Sequence, residues 1–324
     1  MTEQAKIVSK VLVLDSNAEC FDSIKTFCDS NGLVGLKVQP DNVMAVLRSN
    51  LDLGAILLSE TYTNSVQGGT GLARKIHAVR PELPIFLRRE VSDNLDDMVD
   101  RDRLLFSAAY TIGTISKLQA VIEEFIFSRS YPNALVRGIT EIAIPALVSQ
   151  FKSMQVEVEA PYLVRDRLIF GEIFTLIPLE SSWCRGYMML QTEEDALMHQ
   201  VKAGRTFVSP HEAYDFRSLN GLLGEITNLI WGAIKNRYLS NVREGAYLSQ
   251  VPIIINNLHR YISFGSDNPQ LCFKYTISDP NDPSFRPLVI QQKFVFNLDW
   301  SPEDFSENLP SVDELVSSGE LEFF

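Results

Sequence analysis

The chain has 324 residues, of which 45% are hydrophobic, and it carries a formal net charge of −12. This length is typical of two domains, and the hydrophobic share is enough for two buried cores. An acidic chain without a basic stripe is not expected to bind nucleic acid, and no apolar run reaches the ~20 residues of a membrane span. Because the opening residues MTEQAKIVSK lack the apolar region of a signal peptide, we expect a cytoplasmic protein.

The four cysteines and four histidines are dispersed along the chain. No CxxC motif and no Cys/His cluster occurs, which argues against a zinc site. We therefore expect this chain to bind no metal of its own. The simplest role for the cysteines is that of small buried hydrophobic residues.

Short apolar runs alternate with helical segments over the first 130 residues. The pattern predicts strands at Val11–Leu14, Ala55–Leu58, Pro84–Leu87 and within Ser107–Thr111. It predicts helices at Phe21–Ser30 and Lys117–Phe127. Between them it predicts a Gly-rich loop at Gln67–Gly71, followed by a helix through Val79. Alternating strands and helices of this length imply a parallel sheet with helices on both faces.

This order resembles a response-regulator receiver domain, a flavodoxin-like (CheY-like), doubly wound α/β fold, over residues 1–130. The family places its phosphoacceptor aspartate after the strand AILL, where this chain has Ser59. The acidic pair after the first strand is reduced to Asp15 and Ser16, and the family's hydroxyl residue falls at Arg88 or Arg89. One carboxylate is too weak a site for Mg²⁺. The resemblance therefore implies a pseudo-receiver that cannot be phosphorylated in the usual way.

Two positions are open for Glu60, which follows Ser59. Its carboxylate could enter the acidic pocket as a permanent negative charge, with Arg88 or Arg89 neutralising it and locking one conformation. Alternatively, Glu60 simply points to solvent after the strand.

A turn-type sequence at Ser130–Asn133 (SYPN) separates this region from a second predicted domain, residues 133–300. A helix is predicted at Ala134–Lys152. Residues Gly186–Val201 read as a strand, a short turn and a helix, and Ser249–Asn256 as an apolar strand preceded by Pro252.

An amphipathic helix is predicted at Arg217–Tyr238, with apolar residues at 3–4 spacing. Its expected buried face consists of Leu219, Leu222, Leu223, Ile226, Leu229, Ile230 and Ala233. Glu225 and Asn228 are three residues apart and project together from the opposite side. The same side carries Gly221, Gly224 and Gly232, each of which costs a helix roughly 1 kcal/mol relative to alanine. These glycines favour a surface that another backbone approaches closely, although a plain solvated face would have the same polarity.

The order of a strand and helix, a helix with GExxN, and a Pro-led strand resembles the CheC/CheX/FliY family of phosphatases, which act on the response regulator CheY. The CheX branch is the closer match, since Glu225 and Asn228 form the single ExxN. The resemblance implies an α+β CheX/CheC-like domain over residues 133–300. It also implies a partner-docking role for Gly221, Gly224, Gly232 and Pro252.

The resemblance implies that Asn228 positions the attacking water and that Glu225 pairs with an active-site lysine of a phosphorylated CheY-type response regulator. No nucleophile and no cofactor is then needed from this chain, because Mg²⁺ is held by the phosphorylated partner. A homodimer is also implied. The alternative is a non-catalytic signalling adaptor that binds receiver proteins through both domains. Trp231, beside the GExxN face, could obstruct a partner.

The final segment, residues 301–324, contains seven acidic residues and no Lys or Arg. Such a composition is typical of a solvated tail. Its apolar residues could nevertheless let part of it dock on a neighbouring surface; they are Leu309, Val312, Leu315, Val316, Phe323 and Phe324.

Overall fold

A computed structural model describes most of the chain. The described residues are 7–48, 52–62, 68–166, 168–207, 215–239, 252–256, 261–263, 268–282 and 284–307. Among them, no helix is both long and apolar enough to cross a bilayer.

The N-terminal half alternates strands and helices. Its strands are β1 (Val8–Leu14), β2 (Leu33–Lys37), β3 (Ala55–Ser59), β4 (Ile85–Arg88) and β5 (Ala108–Tyr110). Its helices are α1 (Ala18–Ser30), α2 (Val43–Arg48), α3 (Gly68–Val79), α4 (Asp100–Arg103) and α5 (Leu118–Phe125). A 3₁₀ segment, Ile112–Lys117, leads directly into α5. The helical conformation therefore already includes Lys117, where the helix was predicted to begin.

The five strands form one parallel sheet in the order β2-β1-β3-β4-β5. Alternate strand residues face opposite sides, so Val11 and Val13 pack with α1 and α5, while Leu12 and Leu14 pack with α2 and α3. Helices on both faces of a parallel sheet confirm the predicted doubly wound fold. Strand β2 and helices α2 and α4 are short and were not predicted.

The glycines predicted as a loop at Gln67–Gly71 lie instead in the first turn of α3, apart from Gln67, which is outside the described residues. Gly68 has a φ of +47°, and a Cβ atom at Gly69 would lie 2.3 Å from the carbonyl oxygen of Ser59. Glycine is thus required by the close approach of α3 to the end of β3.

The C-terminal half is built on antiparallel strands. These are β6 (Gln155–Val158), β7 (Tyr162–Val164), β8 (Leu168–Phe170), β9 (Ile173–Glu180), β10 (Cys184–Thr192), β11 (Ile253–Asn256), β12 (Tyr261–Ser263), β13 (Gln270–Ser278) and β14 (Leu288–Trp300). The helices are α6 (Asn133–Val148), α7 (Glu194–Lys202) and α8 (Phe216–Ile234).

Strands β11-β9-β10-β14-β13 are neighbours in that order, and all four pairings are antiparallel. Buried residues of α6, α7 and α8 share one hydrophobic core with this sheet. Helices gathered on an antiparallel sheet confirm the predicted α+β class. Helix α6 ends at Val148, four residues before the predicted end at Lys152.

The two halves share one continuous sheet, which was not predicted. Strand β7 pairs in parallel with the start of β1, so that Val8 faces Tyr162 and Ser9 faces Leu163. The Ser9 hydroxyl donates to the carbonyl oxygen of Leu163 at 2.9 Å, and both residues are buried. The resulting path of hydrogen-bonded strands runs from β11 at one end to β5 at the other.

Buried charges reinforce this junction. Arg80 of the N-terminal half pairs with Asp166 of the C-terminal half at 2.9 Å, and both side chains are at most 6% exposed. Asp52 accepts from the Tyr162 hydroxyl at 3.0 Å and lies 3.4 Å from the Lys293 ammonium. Burial is the largest single influence and would lower the pKa of Lys293, but the charge and hydrogen bond of Asp52, together with the charges of Cys272 and Asp166, raise that pKa overall. Removing one member would leave an uncompensated charge, so these groups hold the halves together.

The four cysteines are buried, as predicted, and none of them forms a disulfide. Burial raises the pKa of the Cys20 thiol, that of Cys28 to about 11 and that of Cys272 to about 12. Only the thiolate is an effective nucleophile. We therefore expect negligible alkylation of these three thiols by iodoacetamide at pH 8 in the folded protein, and rapid alkylation after denaturation in urea. Peptide mass spectrometry measures both, and fast native labelling of Cys28 or Cys272 would contradict the packing described.

Candidate functional site

Helix α8 begins with a conventional N-cap. The Asp215 carboxylate accepts from the backbone N–H groups of Arg217 and Ser218 at 2.9 and 3.3 Å, which satisfies two donors that the helix leaves free. The helix continues into a π-helical turn, Lys235–Leu239, so the helical segment spans the predicted range.

One side of α8 is buried in the core, as predicted for most of its apolar residues. Leu229 and Ala233 are the exceptions, because Leu229 is 37% exposed and Ala233 is only half-buried. Trp231 is 8% exposed and packs in the core, so it does not obstruct the opposite side as considered from the sequence.

The exposed side of α8 carries Glu225 and Asn228 together. Neither makes a hydrogen bond or an ion pair in the part of the chain that the structure describes. A Cβ atom added at Gly221 or Gly232 would meet nothing within 4 Å, so this side is open. A backbone or a bulky partner side chain can therefore reach the carboxylate and the amide from solvent.

Strand β11 lies beside this surface. A Cβ atom at Gly224 would lie 3.5 Å from the Ile254 side chain, which places β11 next to the turn that carries Glu225. Pro252 is half-buried and immediately precedes β11, as predicted. Ile253 is 57% exposed on this edge strand, which the sequence analysis did not single out. We use the name α8 surface for the exposed residues Glu225, Asn228, Leu229 and Ile253 together with Gly221, Gly224 and Gly232.

The receiver-like pocket lies at the other end of the sheet and is filled by Arg88, the last residue of β4. Its side chain is 1% exposed. The guanidinium donates to Asp15, to the Ser59 hydroxyl at 2.9 Å and to Glu90 at 2.8 Å. Burial alone would lower the pKa of Arg88, but the hydrogen bonds to Asp15 and Glu90 raise it above its ordinary value. Ser16 is exposed and lies outside this group.

Glu60 stays outside the buried group, but it is neutralised by Arg89, one of the two arginines considered as its partner from the sequence. Its side chain is 29% exposed and pairs with Arg89 at 3.2 Å, outside the buried group. Arg89 also pairs with Asp97, and hydrogen bonds to that carboxylate are the main reason why the pKa of Arg89 is raised. The charge that Arg88 neutralises is that of Asp15.

Among the described residues, no group of three His, Cys, Asp or Glu side chains is gathered to hold a metal ion. The Asp15 carboxylate is engaged by Arg88.

The two sites are far apart. Helix α8 packs on β9, whereas Arg88 ends β4, and the sheet order between them is β9-β10-β14-β13-β7-β1-β3-β4. At about 4.8 Å per strand spacing, the separation is on the order of 30 Å. One small group could not contact both sites at once.

The start of the acidic C-terminal segment is packed on the C-terminal half. The Phe305 ring lies 5.0 Å from Trp183 and 5.5 Å from Tyr238, measured between centroids, and Glu307 pairs with Arg237 at 3.1 Å. The prediction of a solvated tail over residues 301–324 is therefore wrong for residues 301–307. The apolar residues from Leu309 onward lie outside the described residues.

Comparisons with known proteins give structural neighbours only. No protein-family model matches the chain. No curated protein sequence matches it either. A chemotaxis protein CheX from Vibrio vulnificus is 16% identical, with 49% of this chain and 98% of that chain covered and a TM-score of 0.34. A chemotactic CheC-like protein from Shewanella oneidensis is 18% identical, with coverage of 51% and 100% and a TM-score of 0.34. A CheY-like response regulator receiver domain protein from Methanospirillum hungatei is 15% identical, with coverage of 36% and 92% and a TM-score of 0.30.

Proposed function

We propose that the chain removes phosphate from the phospho-aspartate of a CheY-type response regulator in chemotaxis or another two-component pathway. The observation that carries this proposal is the α8 surface, where Glu225 and Asn228 are exposed side by side on a helix whose opposite side is firmly packed. An exposed amide and carboxylate that have no partner among the described residues are available to another protein.

The chemistry asks little of the phosphatase beyond positioning. Water attacks the phosphorus, the bond between phosphorus and the aspartate oxygen breaks, and its electron pair stays on the leaving carboxylate. The side-chain amide of Asn228 can accept from that water through its oxygen and donate to the phosphoryl group through its nitrogen. An amide does this without adding negative charge beside a dianion. Mg²⁺ would be held by the phosphorylated partner, and this chain would need no cofactor.

Glu225 has a different role in this proposal, because a free carboxylate would repel the phosphoryl group. By resemblance to the CheX branch, it pairs with the active-site lysine of the partner and sets the register of α8 against it. The glycines and Pro252 would let the partner approach closely.

The receiver-like half would act without being phosphorylated itself. By resemblance to the receiver family, Ser59 takes the place of the acceptor aspartate, and Arg88 donates to both Ser59 and Asp15. We propose that residues 1–130 recognise the target, regulate access to residues 133–300, or mediate self-association of a cytoplasmic homodimer.

A phosphate-release assay tests the proposal. Purified response regulators from the same cell are phosphorylated with acetyl phosphate and Mg²⁺, the donor is removed, and decay is followed with and without the full chain. We expect the decay of at least one regulator to accelerate about tenfold or more, since a positioned water is the main requirement. Binding of a phosphorylated regulator without faster decay would instead establish the non-catalytic adaptor.

A further inference from the structure

A buried polar contact lies directly beneath the α8 surface. Thr227 precedes Asn228 in the chain, faces the sheet and is fully buried at 0% exposure. Its neighbours on the buried side of α8 are aliphatic or aromatic, including Leu223, Ile226 and Ile230. A hydroxyl at this position is unusual, because a buried polar group costs free energy unless it is hydrogen-bonded.

The Thr227 hydroxyl is fully satisfied by two neighbours. It lies 2.8 Å from the Thr175 hydroxyl on β9 and 2.7 Å from the carbonyl oxygen of Leu223 in its own helix. Thr175 is also 0% exposed. Since each hydroxyl has one proton and two lone pairs, the pair can hold both contacts together.

Thr175 ties this contact to the rest of the α8 surface. On one side of β9 it is the register partner of Ile254 in β11, and on the other it faces Leu190 in β10. Thr175 therefore links both elements. Its backbone pairs with β11 in the sheet, and its hydroxyl contacts Thr227 of α8.

Apolar packing alone would hold α8 less specifically, because hydrophobic contacts are non-directional. The side chains of a helix extend roughly 6 Å from its axis, so a rotation of about 20° moves a side-chain end by about 2 Å. A misplacement of about 1 Å can cost an enzyme a hundredfold in rate. The direction in which Asn228 points is thus sensitive to small rotations that an aliphatic interface would tolerate.

We infer that Thr227 and Thr175 are positioning residues: their hydroxyl pair fixes the rotation of α8 on the sheet and so directs Asn228 at the reacting phosphoryl group. This inference rests on the proposed phosphatase function. The hydroxyl pair is expected to affect the orientation of the helix and not its stability. The reason is that an apolar pair of the same shape can replace a buried hydrogen bond at little cost in stability.

The test compares Thr227→Val, Thr175→Val and the double variant with the wild type in the full chain. For the double variant we expect an unchanged melting temperature and a kcat lower by about 10- to 100-fold, with a smaller rise in the Kd for the phosphorylated regulator because Glu225 moves with α8. Thr227→Ser restores the hydroxyl and should keep kcat within about threefold of the wild type. A double variant with wild-type kcat, or a serine variant as slow as valine, would overturn the inference.

Thr140→Val is the matched control. Thr140 in α6 also lies near the carbonyl oxygen four residues earlier, that of Val136, at 3.5 Å, but it makes no hydrogen bond to another element among the described residues. This substitution should leave kcat unchanged. If it lowers kcat as much as the double variant does, the effect is not specific to α8 and the inference fails.

A measurement without phosphatase activity keeps the two proposals apart. Spin labels at Asn228→Cys and Glu180→Cys, both at exposed positions, report the placement of α8 relative to β9, while the native cysteines stay buried. We expect the double Thr→Val variant to shift or broaden the distance distribution by about 2 Å. An unchanged distribution overturns the positioning role. If the wild-type chain has no phosphatase activity but the labels shift in the double variant, only the proposed function is refuted.

Discussion

Asn228→Ala should lower the rate of phosphate release from the target regulator by about a hundredfold or more, while the variant still binds that regulator. The reason is that the amide orients the water and the phosphoryl group, whereas binding is spread over the rest of the α8 surface. Because Asn228 is exposed, its truncation should change the free energy of unfolding by no more than about 0.5 kcal/mol. Single-turnover decay of a phosphorylated regulator, with Kd measured separately, checks both parts.

Two further substitutions sharpen this prediction. Asn228→Asp keeps the shape of the side chain but places a negative charge beside the phosphoryl group, so it should be as slow as alanine. Asn236→Ala, at another exposed asparagine on the same helical segment, should leave the rate unchanged. If Asn228→Ala retains a rate within twofold of the wild type, the water-positioning role is rejected.

Glu225 should affect recognition more than chemistry. If its carboxylate pairs with the partner's lysine, Glu225→Gln raises KM more than it lowers kcat, because the lost contact exists in the bound state before reaction. A matched exchange of charges, Glu225→Lys with the partner's lysine changed to glutamate, should recover part of the affinity.

The elements predicted from periodicity were mostly confirmed, since periodicity reports burial of one face. The buried stripe of α8 places Leu222 and Ile226 inward and Glu225 and Asn228 outward, and the structure agrees. Leu229 was assigned wrongly because it lies at the edge of that stripe, where spacing alone does not decide exposure. Short elements such as β2 and α2 contain too few residues for a period to be recognised.

The continuous sheet and the Arg88 cluster could not be predicted, for a different physical reason. Strand β7 is three residues long, and its partner β1 lies about 150 residues earlier, so no local pattern links Ser9 with Leu163. Two adjacent arginines, Arg88 and Arg89, were recognised, but which one is buried depends on where β4 ends and on the side of the sheet that each faces. The geometry assigns Arg88 to Asp15 and Arg89 to Glu60 and Asp97.

The second large effect is expected at Arg88. Arg88→Met keeps the length of the side chain but leaves the buried Asp15 carboxylate without its counter-charge, and breaking such a pair typically costs about 3–5 kcal/mol. We therefore expect the urea midpoint of the full chain to fall markedly. The double variant Arg88→Met with Asp15→Leu should recover much of the loss, because a well-packed apolar pair can replace a buried ion pair.

Arg89→Met is the control for this effect, since Arg89 is an adjacent arginine with the same number of carboxylate partners. Neither of those partners is buried as Asp15 is, since Glu60 is 29% and Asp97 62% exposed against 2% for Asp15, and solvent-exposed pairs contribute about 1 kcal/mol or less. If both arginine variants destabilise the chain equally, the burial of Arg88 beside Asp15 is not what stabilises this part of the fold. If only Arg88→Met does, the buried ion pair of Arg88 with Asp15 is the contact that stabilises the ends of β1 and β4, because the exposed partners of Arg89 are screened by solvent.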